Sequence, residues 1–172
     1  MNLEGDTRMF RTWHRESSLW RDKIGVSPGF APWTSMQGFE ALGVRLTPRV
    51  SDLMNCVVAQ KMKGCGVLRQ TITAEGLRNL MADTMLDVSQ GHSRKCYTYE
   101  HGIGHTLTTS TINYSFKRDS IVLPVECMVM QGQPRNMKVP THMKGRDLRI
   151  LAGEGMALPS LATCIWALRL TK

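Results

Sequence analysis

Residues 106–130 read TLTTSTINYSFKRDSIVLPVECMVM, and this stretch decides the predicted fold. Its first half places Ile112, Tyr114 and Phe116 on one side of an extended chain. Its second half, from residue 120 to residue 130, repeats the alternation with Ile121, Leu123, Val125, Cys127 and Val129. An apolar residue at every second position is the pattern of a strand with one buried face. The stretch therefore predicts consecutive strands over 106–116 and 120–130, with Pro124 marking an edge or a bulge.

The segments on either side of this stretch supply the remaining elements. Residues 55–69 are interpreted as a strand, or as a strand and a turn, and residues 147–152 and 161–170 as two further strands. Thr73 is a capping residue, and it precedes apolar side chains at helical spacing, which predicts a helix over about residues 74–87. The order predicts an α+β fold: a single, mostly antiparallel sheet packed with one to three helices.

The first forty residues hold three of the four tryptophans and three of the four phenylalanines. Between Asp6 and Lys23 the apolar spacing is roughly helical, and glycines and prolines then end any helix. These aromatic side chains either cover the main core or form an arm that docks into a neighbouring molecule or a membrane interface. We predict an N-terminal arm over residues 1–40, before a compact domain over residues 41–172. The predicted self-association residues of the arm are Phe10, Trp13, Trp20, Phe30 and Trp33.

The chain is basic, with 22 Lys and Arg residues against 14 Asp and Glu residues and a net charge of +8. Such a charge favours anionic partners. Residues 101–172 hold 9 basic and 4 acidic residues, so most of the excess lies there. The predicted loop that begins at Gln131 carries the densest part of this excess, residues 135–149, and is called the basic loop. It is either a solvated loop or a contact patch for the phosphates of lipid or RNA. The candidate contact residues for anionic lipid or nucleoprotein are Arg135, Lys138, Lys144, Arg146 and Arg149.

Composition excludes several classes of protein. Apolar residues form 42% and charged residues 21% of the chain, which excludes a wholly disordered or fibrous protein. The longest uninterrupted apolar run, near residues 164–168, is far below the roughly 20 residues of a membrane span, and no apolar secretory segment fits the first 24 residues. The five cysteines are widely spaced and contain no C-x-x-C pair. We therefore expect a soluble protein with reduced thiols from a cytosolic or nuclear compartment.

One group of residues has the side chains that zinc prefers. His92, Cys96, His101 and His105 lie within 14 residues, although their spacing matches no standard zinc finger. They are either weak zinc candidates or polar turn residues. The sequence has no phosphate-binding glycine loop and no recognisable Ser/His/Asp arrangement. We therefore expect a protein that is not an enzyme and that has no cofactor.

Three segments resemble the matrix proteins of rhabdoviruses. They are residues 69–81 (RQTITAEGLRNLM) after a predicted strand, residues 131–134 (QGQP), and residues 139–142 (VPTH) before the basic cluster. Together the likeness covers about residues 55–170. The chain lacks a Lys-rich amino terminus and a P-P-x-Y or P-T-A-P budding motif, and together with its length this is more similar to the plant-infecting members.

The resemblance implies a compact sheet packed with helices, and an N-terminal segment that inserts into a neighbouring copy. It leads to the hypothesis of a viral matrix-type structural protein that forms homo-oligomers and links viral nucleoprotein, in a helical nucleocapsid, to an anionic membrane. The implied location is the virion, between envelope and nucleocapsid, and the host cytoplasm during infection. The alternative is an RNA-binding viral capsid or silencing-suppressor protein that uses the same basic loop. A zinc-stabilised regulatory module is a third class.

Overall fold

The computed structural model describes residues 3–34, 46–95, 97–98, 104–155 and 157–170, with the side chains of the first helix described from residue 12. These residues form helices and a small antiparallel sheet, which confirms the predicted α+β class. The elements in chain order are α1 Leu3–Ile24, α2 Pro48–Gly64, α3 Ala74–Leu80, β1 Met85–Asp87, β2 Asn113–Ser115, β3 Ser120–Ile121, α4 Pro124–Met130, α5 Gly145–Glu154 and α6 Leu158–Leu170.

The chain divides into two compact units. The first unit consists of the described parts of Met1–His105 together with Ile112–Ile121, and the second unit consists of Thr106–Thr111 with the described parts of Val122–Lys172. The sheet belongs to the first unit and has the order β1-β2-β3. Tyr114 at its centre is opposite Leu86 on one side and Ile121 on the other.

The core of the first unit lies between α1, α2 and the sheet. Trp20 and Ile24 of α1 pack in one apolar cluster with α2 residues and with Tyr114 and Phe116. The predicted helix between Asp6 and Lys23 is confirmed as α1. Its described residues therefore belong to the same unit as α2 and the sheet.

The strand predicted over residues 55–69 is wrong, because residues up to Gly64 continue α2. Thr47 caps this helix by accepting a hydrogen bond from the Val50 amide at 3.3 Å. Pro48 occupies a first-turn position, where its missing N–H costs nothing. Leu53 and Val57 are both buried one turn apart, so the helical period, not the β-branched composition, decides the structure.

The helix predicted over residues 74–87 is correct only in its first half. Thr73 caps α3 by accepting from the Gly76 amide at 3.1 Å, as expected from the sequence. However, α3 ends at Leu80 and the apolar pair Met85–Leu86 begins β1. The Thr84 amide donates to the Met81 carbonyl at 2.9 Å, which forms the turn between the two elements.

Most of the strands predicted for the C-terminal half are wrong. The stretch 106–116 is strand only over Asn113–Ser115, and 120–130 only over Ser120–Ile121. Pro124 begins a helix, because it has no N–H to leave unpaired and the Glu126 carboxylate accepts from the Leu123 amide at 2.7 Å. The strands predicted over 147–152 and 161–170 lie in the helices α5 and α6.

Within the second unit, α4 packs against α5. Cys127, Leu148 and Ala152 are buried, and the Gln131 side-chain amide donates to the Ala152 carbonyl at 2.8 Å. A Cβ at Gly153 would overlap the backbone of Thr108, so only glycine permits this close approach. The segment Thr106–Thr111 is thereby held against α5.

Candidate functional site

A group of polar side chains lies inside the first unit around the carboxylate of Asp52 in α2. Asp52 Oδ1 accepts a hydrogen bond from Arg21 Nη2 at 2.7 Å. Asp52 Oδ2 lies 2.8 Å from His92 Nε2 and 3.9 Å from Cys56 Sγ. Ser17 Oγ lies 3.8 Å from the same sulfur atom. We call these five residues the Asp52 cluster, which joins α1, α2 and the loop after β1.

The Asp52 cluster is removed from solvent. Ser17, Arg21, Cys56 and His92 are buried, and the Asp52 side chain is 20% exposed. Burial by itself raises the pKa of the Asp52 carboxyl, but hydrogen bonds from His92, Ser17 and Arg21 outweigh it. Together with the Arg21 charge, these bonds hold the pKa well below its ordinary value. Asp52 is therefore a carboxylate at neutral pH.

The cysteine in this cluster is not an activated nucleophile. Burial, followed by the negative charge of Asp52, raises the pKa of the Cys56 thiol to about 11. Catalytic cysteines have the opposite property, since a lowered pKa makes the thiolate available at neutral pH. The arrangement thus differs from a Cys/His catalytic pair in protonation state.

His92 lies between aromatic rings at the edge of a groove. The Trp13 ring stacks on the imidazole at a centroid distance of 5.8 Å, and the Trp20 ring meets it edge-on at 6.3 Å. His92 Nδ1 is buried and has no hydrogen-bond partner among the described residues. The groove has a volume of about 270 Å³ and is lined by Glu16, Leu19, Trp20, Lys23, His92, Ser93 and Lys95.

Three members of the Asp52 cluster are potential metal ligands. The ligand atoms of Asp52, Cys56 and His92 all lie within 4.8 Å of one another. Of the two zinc candidates that the structure describes, His92 lies at this place, whereas His105 Nε2 lies 2.8 Å from Asn113 Oδ1. Cys96 and His101 are outside the described residues.

Asp52 and Cys56 were missed by the sequence analysis. They occur four positions apart, a spacing that places two side chains on one face of a helix. The interpretation of residues 55–69 as a strand concealed that spacing. Recognition of the Thr47-Pro48 helix start would have revealed the pair.

The predicted basic residues lie on the second unit, but the prediction of one loop between two strands is wrong, because Arg146 and Arg149 belong to helix α5. Arg135, Lys138, Lys144 and Arg146 are exposed, and Arg149 is half-buried. Arg146 and Arg149 line a groove of about 500 Å³ with the hydroxyl-bearing Thr109 and Ser110. Ile150 and Glu154 complete its lining. Guanidinium groups beside hydroxyl groups are donors suited to a phosphate.

Helix α6 in the same unit is apolar and exposed. All of its described side chains are exposed, and Trp166 and Leu170 retain 66% and 73% of their accessible surface. Arg169 is the single charged residue in its sequence, LPSLATCIWALRL. Apolar residues are distributed around the helix, so no face of α6 is polar.

The start of α6 contacts the start of the basic loop. The Leu158 amide donates a hydrogen bond to the Gln131 carbonyl at 2.8 Å. Gly132 has a φ of +88°, and a Cβ there would lie 2.7 Å from Pro159 Cδ. The apolar helix and the basic loop are therefore adjacent at this point.

The described chain contains one stretch, Gly145–Ala167, that is long and apolar enough to cross a membrane, by length and composition only. Only 6% of the 18 consecutive residues within it that meet this composition is buried inside the protein. The sequence analysis excluded a span because it counted uninterrupted apolar residues. A membrane span also tolerates small residues between the apolar ones, as in this stretch, and a count of uninterrupted apolar residues overlooks such a span.

The aromatic residues of the N-terminal segment have different environments. Trp20 and Trp33 are 3% and 2% exposed and belong to the core of the first unit. Trp13 and Phe30 are half-buried, and the side chain of Phe10 is outside the described residues. Within one chain, Trp20 and Trp33 are covered by the chain's own residues. Self-association through this segment stays a prediction.

No protein-family model matches this chain, and no curated protein matches its sequence.

Proposed function

We propose that this protein is a non-enzymatic structural protein of viral matrix type that binds an anionic membrane through its second unit. It associates with further copies of itself and links a helical nucleocapsid to that membrane. The observation that carries the membrane contact is helix α6, whose described side chains are all exposed and whose sequence is apolar apart from Ser160, Thr163 and Arg169.

An apolar helix without a polar face is unfavourable in water. Transfer of apolar surface out of water contributes about 25 cal/mol per Å², so exposed Trp166 and Leu170 favour a partner that covers them. A protein groove covers one side of a helix, whereas lipid chains surround it. The absence of a polar face on α6 thus favours lipid as the partner.

The length of α6 suits insertion part of the way into a bilayer. Thirteen residues at about 1.5 Å per residue extend about 20 Å, less than the roughly 30 Å of a bilayer's hydrocarbon core. The preceding helix, α5, carries Arg146, Asp147, Arg149 and Glu154, so we assign insertion to α6 and headgroup contact to the residues around α5.

The basic residues supply the second part of the membrane contact. Each Lys or Arg near an anionic surface contributes about 1 kcal/mol. The groove beside Arg146 and Arg149 offers donors for a headgroup phosphate. The Leu158–Gln131 hydrogen bond places the start of α6 against the basic loop. Apolar insertion and charge attraction together give stable binding where one alone is marginal.

The nucleocapsid and self-assembly parts of the proposal come from the resemblance of residues 69–81, 131–134 and 139–142 to rhabdovirus matrix proteins. The same basic residues would contact nucleoprotein where they do not contact lipid. The N-terminal aromatic segment is the proposed contact between copies. The proposed location is the virion, beneath the envelope, and the host cytoplasm during infection.

Vesicle flotation tests the membrane contact directly. Full-length protein should float with phosphatidylserine-containing vesicles and much less with phosphatidylcholine vesicles. The double variant Ile165→Glu/Trp166→Glu should lose flotation, because charged residues oppose insertion of α6. Gln70→Glu/Asn79→Glu is the matched control, since it adds the same two negative charges at exposed positions of the first unit. It should float like the unmodified protein.

An RNA-binding measurement distinguishes the alternative function. Tight, salt-sensitive binding of RNA without any binding to anionic vesicles would contradict the membrane proposal and support the RNA-binding alternative. Equal flotation of the α6 double variant and the unmodified protein would remove α6 from the mechanism.

A further inference from the structure

We propose that Asp52, Cys56 and His92 form a binding site for one divalent metal ion, with Zn²⁺ as the fitting ion. This site lies in the first unit and takes no part in the proposed membrane contact. The inference rests on the convergence of three different donor atoms at one buried point.

The convergence point is Asp52 Oδ2. This oxygen lies 2.8 Å from His92 Nε2 and 3.9 Å from Cys56 Sγ. Asp52 and Cys56 share one face of α2 because they are four residues apart. The loop after β1 supplies His92 from the opposite side. Helix and loop therefore bring together ligands that are separated by 40 residues in the sequence.

Arg21 orients the carboxylate without occupying the shared oxygen. Its guanidinium donates to Asp52 Oδ1 at 2.7 Å, and it is itself anchored on the backbone carbonyls of Ser27 and Phe30 at 3.2 and 2.8 Å. Oδ2 is left to face Cys56 and His92. Outer hydrogen bonds of this kind fix the orientation of metal-binding carboxylates.

Binding replaces protons at the ligand atoms. The ion takes the place of the hydrogen between His92 Nε2 and Asp52 Oδ2, and the imidazole then carries its one ring proton on Nδ1. Cys56 binds as a thiolate and releases its proton to solvent. Zn–N and Zn–O bonds of about 2.0–2.2 Å require the 2.8 Å His92–Asp52 separation to widen by about half an ångström. Ser17 Oγ, 3.8 Å from the sulfur, or a water molecule fills the fourth position.

The donor set selects the ion. One thiolate, one imidazole and one carboxylate are ligands of tetrahedral zinc. Calcium and magnesium require oxygen ligands in greater number. The other ring nitrogen of His92, Nδ1, is buried without a partner among the described residues and makes no hydrogen bond that metal binding at Nε2 would break.

The test uses metal-free, full-length protein titrated with Co²⁺ as a spectroscopic substitute for Zn²⁺. One equivalent should produce a thiolate-to-cobalt charge-transfer band and the visible bands of a tetrahedral ion, and Zn²⁺ should remove both. Cys56→Ala should abolish the charge-transfer band. His92→Gln should weaken binding by at least about 100-fold. Cys127→Ala is the control, since Cys127 is a buried cysteine of the second unit, and it should change nothing.

X-ray absorption of the unmodified protein with one equivalent of Zn²⁺ makes the test independent of variants. The expected shell has one sulfur and three nitrogen or oxygen atoms. A shell with several sulfur atoms would assign the ion to other cysteines and overturn the proposal. Retention of the band in Cys56→Ala, or no binding at one equivalent, would overturn it as well.

Discussion

The indole Nε1 of Trp33 donates a hydrogen bond to the hydroxyl of Tyr114, 3.2 Å away and 81 residues later in the chain. The Tyr114 hydroxyl in turn donates to Asp119. The Trp33 and Tyr114 rings each meet the Phe116 ring edge-on, with centroids 5.0 Å apart. These contacts join the segment after α1 to the hairpin of β2 and β3.

A double-mutant cycle on Trp33→Phe and Tyr114→Phe should reveal this coupling. Each single change removes one partner of the hydrogen bond, and an unpaired buried group costs about 1–3 kcal/mol. Urea unfolding should give a coupling of at least about 0.5 kcal/mol, as for residues in direct contact. Strictly additive losses of unfolding free energy would contradict the bond.

The unfolding free energy should fall steeply above pH 10 through Tyr114. Burial, with the Asp119 carboxylate next, raises the pKa of the Tyr114 phenol far above its ordinary value. The protonated Tyr114 phenol contributes fully to the unfolding free energy below about pH 10, the pKa of tyrosine in the unfolded chain. Above that pH the contribution decreases by about 1.4 kcal/mol per pH unit. Tyr114→Phe should show a correspondingly shallower loss in alkaline urea titrations. Tyrosinate absorbance should show Tyr114 ionising only on unfolding.

Replacement of Arg21 should cost more than replacement of Arg15, the other arginine of α1 whose side chain the structure describes. Arg21→Met leaves the buried side of Asp52 without its cation, and breaking such a pair costs about 3 kcal/mol. Chemical denaturation followed by circular dichroism measures the loss. Arg15→Met is the matched control because Arg15 is exposed on the same helix. Equal effects of the two variants would deny Arg21 its structural role.

Charge reversal in the second unit should weaken vesicle binding. Arg146→Glu/Arg149→Glu removes two attractions of about 1 kcal/mol each and adds repulsion, so affinity should fall at least about tenfold. Arg69→Glu/Arg78→Glu makes the same change in net charge at exposed positions of the first unit. Identical losses in the two double variants, measured by vesicle sedimentation, would indicate a response to net charge alone.

The sequence predicted those elements whose apolar pattern faces a large core. Helix α1 and the Thr73 cap of α3 could be located in this way, because Trp20 and Leu77 are buried at helical positions. The mixed α+β class was also predictable. In the first unit the failures are α2, whose helical period was overlooked, and β1, whose residues Met85 and Leu86 were assigned to the preceding helix.

The helices of the second unit could not be derived from their period. Cys127 is the one buried residue of α4. The apolar alternation over residues 123–129 therefore does not correspond to a buried strand face. In α6 all described side chains are exposed, and exposed apolar residues impose no single period. The starts of α4 and α5 were instead indicated by local residues: Pro124 with Glu126, and Lys144 with Asp147.

The candidate sites were predictable to different degrees. The basic residues Arg146 and Arg149, which line the groove of the second unit, were predictable because clustered charge is visible in the sequence. The Asp52 cluster depends on tertiary contacts across 31 and 40 residues. His92 was singled out for its chemistry, but its partners follow from the packing of α1 on α2.

The discontinuity of the second unit restricts how the protein can be divided for expression. Thr106–Thr111 precedes the β2–β3 hairpin in the chain, yet it belongs to the unit that resumes at Val122. The close approach of Gly153 to Thr108 shows the contact that a break at residue 121 would sever. No single cut therefore yields both units whole. A fragment of the second unit requires replacement of residues 112–121 by a short linker.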